Sequence, residues 1–179
     1  APLLDDSVRA VRIEAARRLA PHAAQLDSTA RLAFDRAIAE YEAVQQGNLD
    51  RPDAWMSLGN LQAVRGDRAA AEAAYREALK RDARFVPAYV NLADVRREQQ
   101  RDADAEAVLR EGLRAVPDAA ALREALALAL VRQGKKSAAL AEFAAASKAA
   151  PTEARYAYLY ALALHDAGRR AEAIRVLAD

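Results

Sequence analysis

The chain has 179 residues, 53% of them hydrophobic and 30% charged, with Lys+Arg 27 against Asp+Glu 26, two histidines and no cysteine. The near-cancelling charge argues against a nucleic-acid binder, which usually carries a strong basic excess. Without cysteine there is no disulfide, thiolate metal site, Cys nucleophile or covalently attached haem within these residues, and no apolar run approaches the roughly 20 residues of a membrane span.

Alanine supplies most of the apolar share, beside leucine, glutamate and arginine, which predicts helices throughout. No signal-peptide pattern is visible, and the opening APLLDDSVRAVR, close to a helix start, suggests a processed protein or an excised fragment. In SVRAVRIEAARRLA, Val8, Val11, Ala15, Ala16 and Leu19 fall on one face, and Pro21 ends the helix. The string Asp6, Val11, Arg12, Ala15, Ala16, Leu19 resembles the second half of a HEAT repeat. A second helix is expected from about Ser28 to Gln46, with Ala37, Tyr41 and Val44 in phase with columns further on. Residues 1–51 thus read as a cap, a HEAT-like helix plus a half-repeat, over the apolar end that a stack of repeats exposes.

From residue 52 the sequence repeats itself. Gly66, Gln100, Gly134 and Gly168 are spaced by 34 residues. Five positions beyond each stands an alanine: Ala71, Ala105, Ala139, Ala173. Four further on come Tyr75, Leu109, Phe143 and Leu177, then the small residues Ala78, Gly112 and Ala146, and Pro117 and Pro151 close two repeats. Each period reads as two antiparallel helices. Trp55, Leu58, Leu61 and Gln62 share a face, and Gly59 sits where the second helix must come close. Gly66 supplies a positive φ at the end of the first helix, and Asp67 can cap the second. Ala71 is the small contact beneath the first helix, while Tyr75 and Ala78 are expected to pack toward the next repeat.

W-x-x-L-G, then small-x-x-x-(Y/F/L)-x-x-small at a period of 34, resembles the tetratricopeptide repeat. The repeats are 52–85, 86–119, 120–153 and a shortened 154–179. Arg123 in the tryptophan column is a departure. The resemblance implies an all-α, right-handed α-α superhelix, a solenoid of antiparallel helix pairs.

The residues offer no catalytic constellation. His22 and His165 lie at opposite ends of the array and cannot share a metal, and His165 reads as a helix tip favoured by the dipole. No serine has a histidine at triad spacing. Arg65-Gly66-Asp67 resembles an integrin motif, but the repeat turn accounts for it. Asp102 and Asp104 stand at a helix start, where capping would explain them. We expect no enzyme, no cofactor and no metal.

The resemblance implies that the first helices line a concave groove. Carried over column by column, the candidate groove residues are Asn60 in the first repeat; Asn91, Asp94 and Arg97 in the second; Leu128 and Arg132 in the third; and Arg155, Tyr158 and Leu162 in the fourth. Asn60 and Asn91 match two asparagines of the clamp that some family members use for the carboxylate of chaperone tails. Met56, Ala121 and Ala125 stand where that clamp needs cations, so a chaperone-tail ligand is not expected. In YAYLYALAL, Tyr158 would face the groove, and Tyr156 and Tyr160 the neighbouring helices.

The expected function is a non-catalytic scaffold that binds a peptide or helix in the groove. Its partner would be a protein, not nucleic acid. Nearly the whole chain also resembles the helical carboxy-terminal part of bacterial multihaem c-type cytochromes, which would make it a module of a larger electron-transfer protein, periplasmic or extracytoplasmic; otherwise a cytoplasmic location is expected. Ile174, Val176 and Leu177 have nothing after them to bury against. A continuing chain or a homo-oligomer would cover them.

Overall fold

The computed structural model describes residues 2–178. Every described element is helical: a short 3-10 helix Pro2–Asp5, then α1 Arg9–Leu19, a 3-10 helix Ala20–Gln25, α2 Ser28–Gln46, α3 Pro52–Val64, α4 Arg68–Arg81, α5 Val86–Glu98, α6 Asp102–Ala115, α7 Ala120–Arg132, α8 Lys136–Ala149, α9 Ala154–Asp166 and α10 Arg170–Ala178. They form two compact units, Ala1–Asp82 and Ala83–Asp179.

In the first unit α1 packs on α2 and α3 on α4. Ala16, Phe34, Ala37, Ile38, Tyr41 and Leu61 make its core, together with Leu4. Two details of the expected cap change. Val8 lies outside α1 and is exposed; the helix buries Ala16, with Ile13 and Leu19 packed beside it. Val44 is exposed as well, although Ala37 and Tyr41 of the same phase are buried. Pro21 does end α1, and the chain goes on as a 3-10 helix with that proline in its first turn.

The second unit pairs α5 with α6, α7 with α8 and α9 with α10. Its largest enclosed side chains are leucines, among them Leu92, Leu122, Leu126, Leu130 and Leu164.

The repeat columns have direct physical counterparts. Ala71, Ala105, Ala139 and Ala173 are all buried. Gly66, Gln100, Gly134 and Gly168 all have φ between 61° and 82°. At each, the following amide donates back to a carbonyl five residues earlier: Asp67 to Gln62, Arg101 to Arg96, Lys135 to Leu130 and Arg169 to Leu164, all at 2.9 Å. That is the Schellman closure of a helix. The Asp67 side chain accepts from the Ala70 amide at 3.0 Å, capping α4. Asp102 and Asp104 do not cap α6, whose N-cap is Arg101. They pair instead with Arg132 at 3.0 Å and Arg101 at 2.7 Å, because a carboxylate inside the first turn is past the position that reaches the free amides.

Gly59 is required by close approach: a Cβ there would lie 2.5 Å from Cε1 of Tyr75. Tyr75 therefore covers the first helix of its own repeat, and its hydroxyl donates to Asn60 Oδ1 at 2.8 Å. The tryptophan column has a shared task. Trp55 Nε1 donates to the Leu49 carbonyl, the Tyr89 hydroxyl to that of Ala83, and Arg123 Nη2 to that of Pro117. Each bond reaches back six residues, so the departure at Arg123 keeps the function of the position.

Candidate functional site: the α5–α7–α9 face

The three first helices of the second unit each turn one stripe outward. α5 and α7 touch directly. Between them opens a hollow of about 260 Å³, walled by Val90, Ala93, Ala121, Ala125 and Leu128 and floored by Leu109 from α6. It is open because three of these positions are alanine, too short to fill the space between two helices. Asp94, Glu124, Arg132 and Arg155 also line it. A second hollow of about 260 Å³ lies among α7, α8 and α9, lined by Leu128, Val131, Leu140, Phe143, Leu159 and Leu162, with Lys136, Ser137 and Asp166 also on its lining.

The two hollows correspond through the repeat. Leu109, Ala125 and Leu128 of the first are matched 34 residues on by Phe143, Leu159 and Leu162 of the second; Asp94 and Arg132 are matched by Leu128 and Asp166.

Charges around the first hollow are internally paired. Arg155 Nη2 donates to Glu124 at 2.7 Å and to the Tyr156 hydroxyl at 3.1 Å, and its guanidinium lies 4.9 Å from the Tyr156 ring centroid. The hydrogen bond to Tyr156 and the charge of Glu124 push Arg155 above its ordinary pKa. Arg132 holds Asp102 at 3.0 Å and Arg97 holds Asp94 at 3.2 Å. Beside them, Glu106 accepts from Lys135 at 2.8 Å and from Arg110 at 2.9 Å. The Lys135 bond is the main cause that holds this carboxyl down at about 2.

The structure brings Asp94, Leu128, Arg132 and Arg155 to the first hollow, and Leu128 and Leu162 to the second. Asn91, half-buried, and Arg97 stand on α5 outside both. Tyr158 is 59% exposed on α9, while Tyr156 is buried. Asn60 belongs to the other unit, where its side chain is engaged with Tyr75. Glu124 falls in a groove column of the third repeat; sequence reasoning missed Lys136 and the floors Leu109 and Phe143. The latter two were legible as one column but read only as core. His165 is exposed, with Nδ1 3.6 Å from Asp166. Among the described residues no group of three or more His, Asp or Glu is arranged to hold a metal, and no helix is long and apolar enough to cross a membrane.

The sequence profile of the tetratricopeptide repeat matches residues 30–84, 58–120 and 124–179. The chain belongs to the tetratricopeptide repeat family, whose repeats generally serve as protein-interaction modules. Comparison with curated proteins gave no match. Among solved structures it is similar to a crystal structure of MamA, at 19% identity and TM-score 0.62 over 86% of this chain and 92% of that one. It is also similar to MamA from Desulfovibrio magneticus RS-1, at 16% identity and TM-score 0.61 over 93% and 91%. A third similar structure is YrrB, described as a repeat protein of this family with an unusual peptide-binding site, at 19% identity and TM-score 0.55 over 97% and 84%. At these identities the likeness concerns the fold, and the fold is the all-α solenoid of antiparallel helix pairs that the family resemblance implies.

Proposed function

We propose that the chain is a non-catalytic scaffold that binds a peptide or helical segment of a protein on the α5–α7–α9 face. The observation that carries this reading is the row Leu128, Val131, Tyr158 and Leu162, each between 41% and 59% exposed, on α7 and α9. Exposed large apolar side chains beside preformed hollows are the usual mark of a docking surface. The peptide-binding site named for YrrB supports the choice of ligand class.

Site-directed photo-crosslinking tests it. A photoreactive amino acid at Tyr158, in cells that make the protein, is expected to trap a discrete protein partner, and the same group at the exposed Arg110 on α6 is not. Equal trapping at both positions would remove the groove reading. Exposure of Ile174 and Leu177 on α10, at 60% and 59%, favours a second reading in which that face packs on another copy of the chain. Light scattering over a concentration series, with Ile174→Glu as control, separates it from the first.

A further inference from the structure

We infer that the segment bound on the α5–α7–α9 face is an amphipathic helix and not an extended peptide. This rests on the groove reading above and specifies its ligand.

The first reason is hydrogen bonding. An extended segment brings an unpaired N–H and C=O at nearly every residue, and these cost free energy on burial unless the wall supplies partners. Neither hollow is lined by an asparagine or glutamine, and the polar side chains on the second are Lys136, Ser137 and Asp166, too few for a backbone that needs a partner at nearly every residue. Around the first, Arg132 and Arg155 are already engaged with Asp102 and Glu124, and Asp94 with Arg97. A helix satisfies its own backbone and presents only side chains, which is what these walls can receive.

The second reason is spacing. The hollows are copies of one site displaced by one repeat. Packed helices lie about 8–10 Å apart, and positions i and i+7 on one helix face are about 10.5 Å apart. The hollows differ in chemistry. The second, walled by Leu128, Phe143, Leu159 and Leu162, takes a large aliphatic or aromatic anchor. The first, of the same volume but walled by alanines beneath a charged rim, takes an apolar residue flanked by polar ones.

Charge completes the description. Asp102 pairs with Arg132 beside the first hollow. One period on, these positions are Lys136 and Asp166, both on the lining of the second hollow. Lys136 forms no ion pair among the described residues. A carboxylate on the flank of the incoming helix, next to its large anchor, complements it.

A random peptide library of about four helical turns, roughly 15 residues, displayed on phage and selected on the full chain, tests the inference. Expected are enriched sequences without proline, with large apolar residues at i, i+3 or i+4 and i+7, and an acidic residue beside the largest. Their binding should fall at least about tenfold with a central proline and with Leu162→Glu, tenfold corresponding to about 1.4 kcal/mol, and a few-fold with Lys136→Glu. Peptides that need Leu162 but tolerate the central proline, or carry an alternating pattern, overturn the helical ligand and leave the groove standing. Peptides indifferent to Leu162→Glu, or no enrichment at all, overturn the groove reading and this inference with it.

Discussion

Trp55, Tyr89 and Arg123 share no chemical class, yet each carries a hydrogen-bond donor at the end of a long side chain. Each uses it on the carbonyl six residues back. What the position selects is reach and a donor. Tyr89→Phe keeps the buried ring and loses the bond, so it should cost about 0.5–1.5 kcal/mol, read from urea unfolding. Gly59→Ala tests the close approach to Tyr75. The added methyl meets the body of a buried ring, and overpacking of this kind costs about 1–3 kcal/mol. Gln100 holds φ 61° where the other repeats have glycine. Relief of left-handed strain, about 1–2 kcal/mol for a residue with a side chain, exceeds the entropy cost of glycine, so Gln100→Gly should raise the melting temperature.

At the scale of the element, each first helix ends in the same Schellman closure, while the starts of the second helices differ. α4 has a capping aspartate, but α6 and α8 begin at Arg101 and Lys135, without a side-chain cap. Asp67→Ala should therefore cost α4 about 1 kcal/mol, with no equivalent loss from Lys135→Ala at the cap itself. What Lys135 does is bind Glu106 of α6, the second helix of the preceding repeat. The folded protein holds this carboxyl at about 2, below its ordinary 4.5. Its contribution is thus fully present above pH 4.5 and is lost as pH falls toward 2. The urea midpoint should drop through that window, and drop less in Glu106→Gln. Equal slopes in the two proteins would remove the assignment. Capping of α6 by Asp102 and Asp104 was a reasonable expectation from their place at a helix start. It fails because one position decides between the cap and the first turn, and sequence patterns blur helix ends by a residue or two.

On the whole-molecule scale, the contacts within the second unit join helices that are neighbours in the chain, together with α5 and α7, the first helices of successive repeats. Stability in such an array is close to a sum of local and nearest-neighbour contributions. Phe143→Ala, which removes the floor of the second hollow, should cost about 3–5 kcal/mol and quicken hydrogen exchange in α8 and α9 before α5. Leu162→Glu, at a side chain 46% exposed, should leave the melting temperature within a degree or two while abolishing partner binding. A large loss of stability there would mean that the row is packing and not a docking surface.

The 34-residue period by itself determined the helix pairs, the positive-φ turns and the buried alanine column, because each is enforced by backbone geometry or by the distance between two touching helices. The family resemblance, carried over column by column, put Leu128, Tyr158 and Leu162 on the groove side, and all three are exposed. Tertiary structure alone decided that Tyr75 covers its own hairpin, that Arg123 replaces tryptophan as a donor, and that alanines at Ala93, Ala121 and Ala125 leave a hollow whose arginines are already paired. Those outcomes depend on where each side chain points and which groups it meets once the helices pack, and a hollow is the volume that none of them fills.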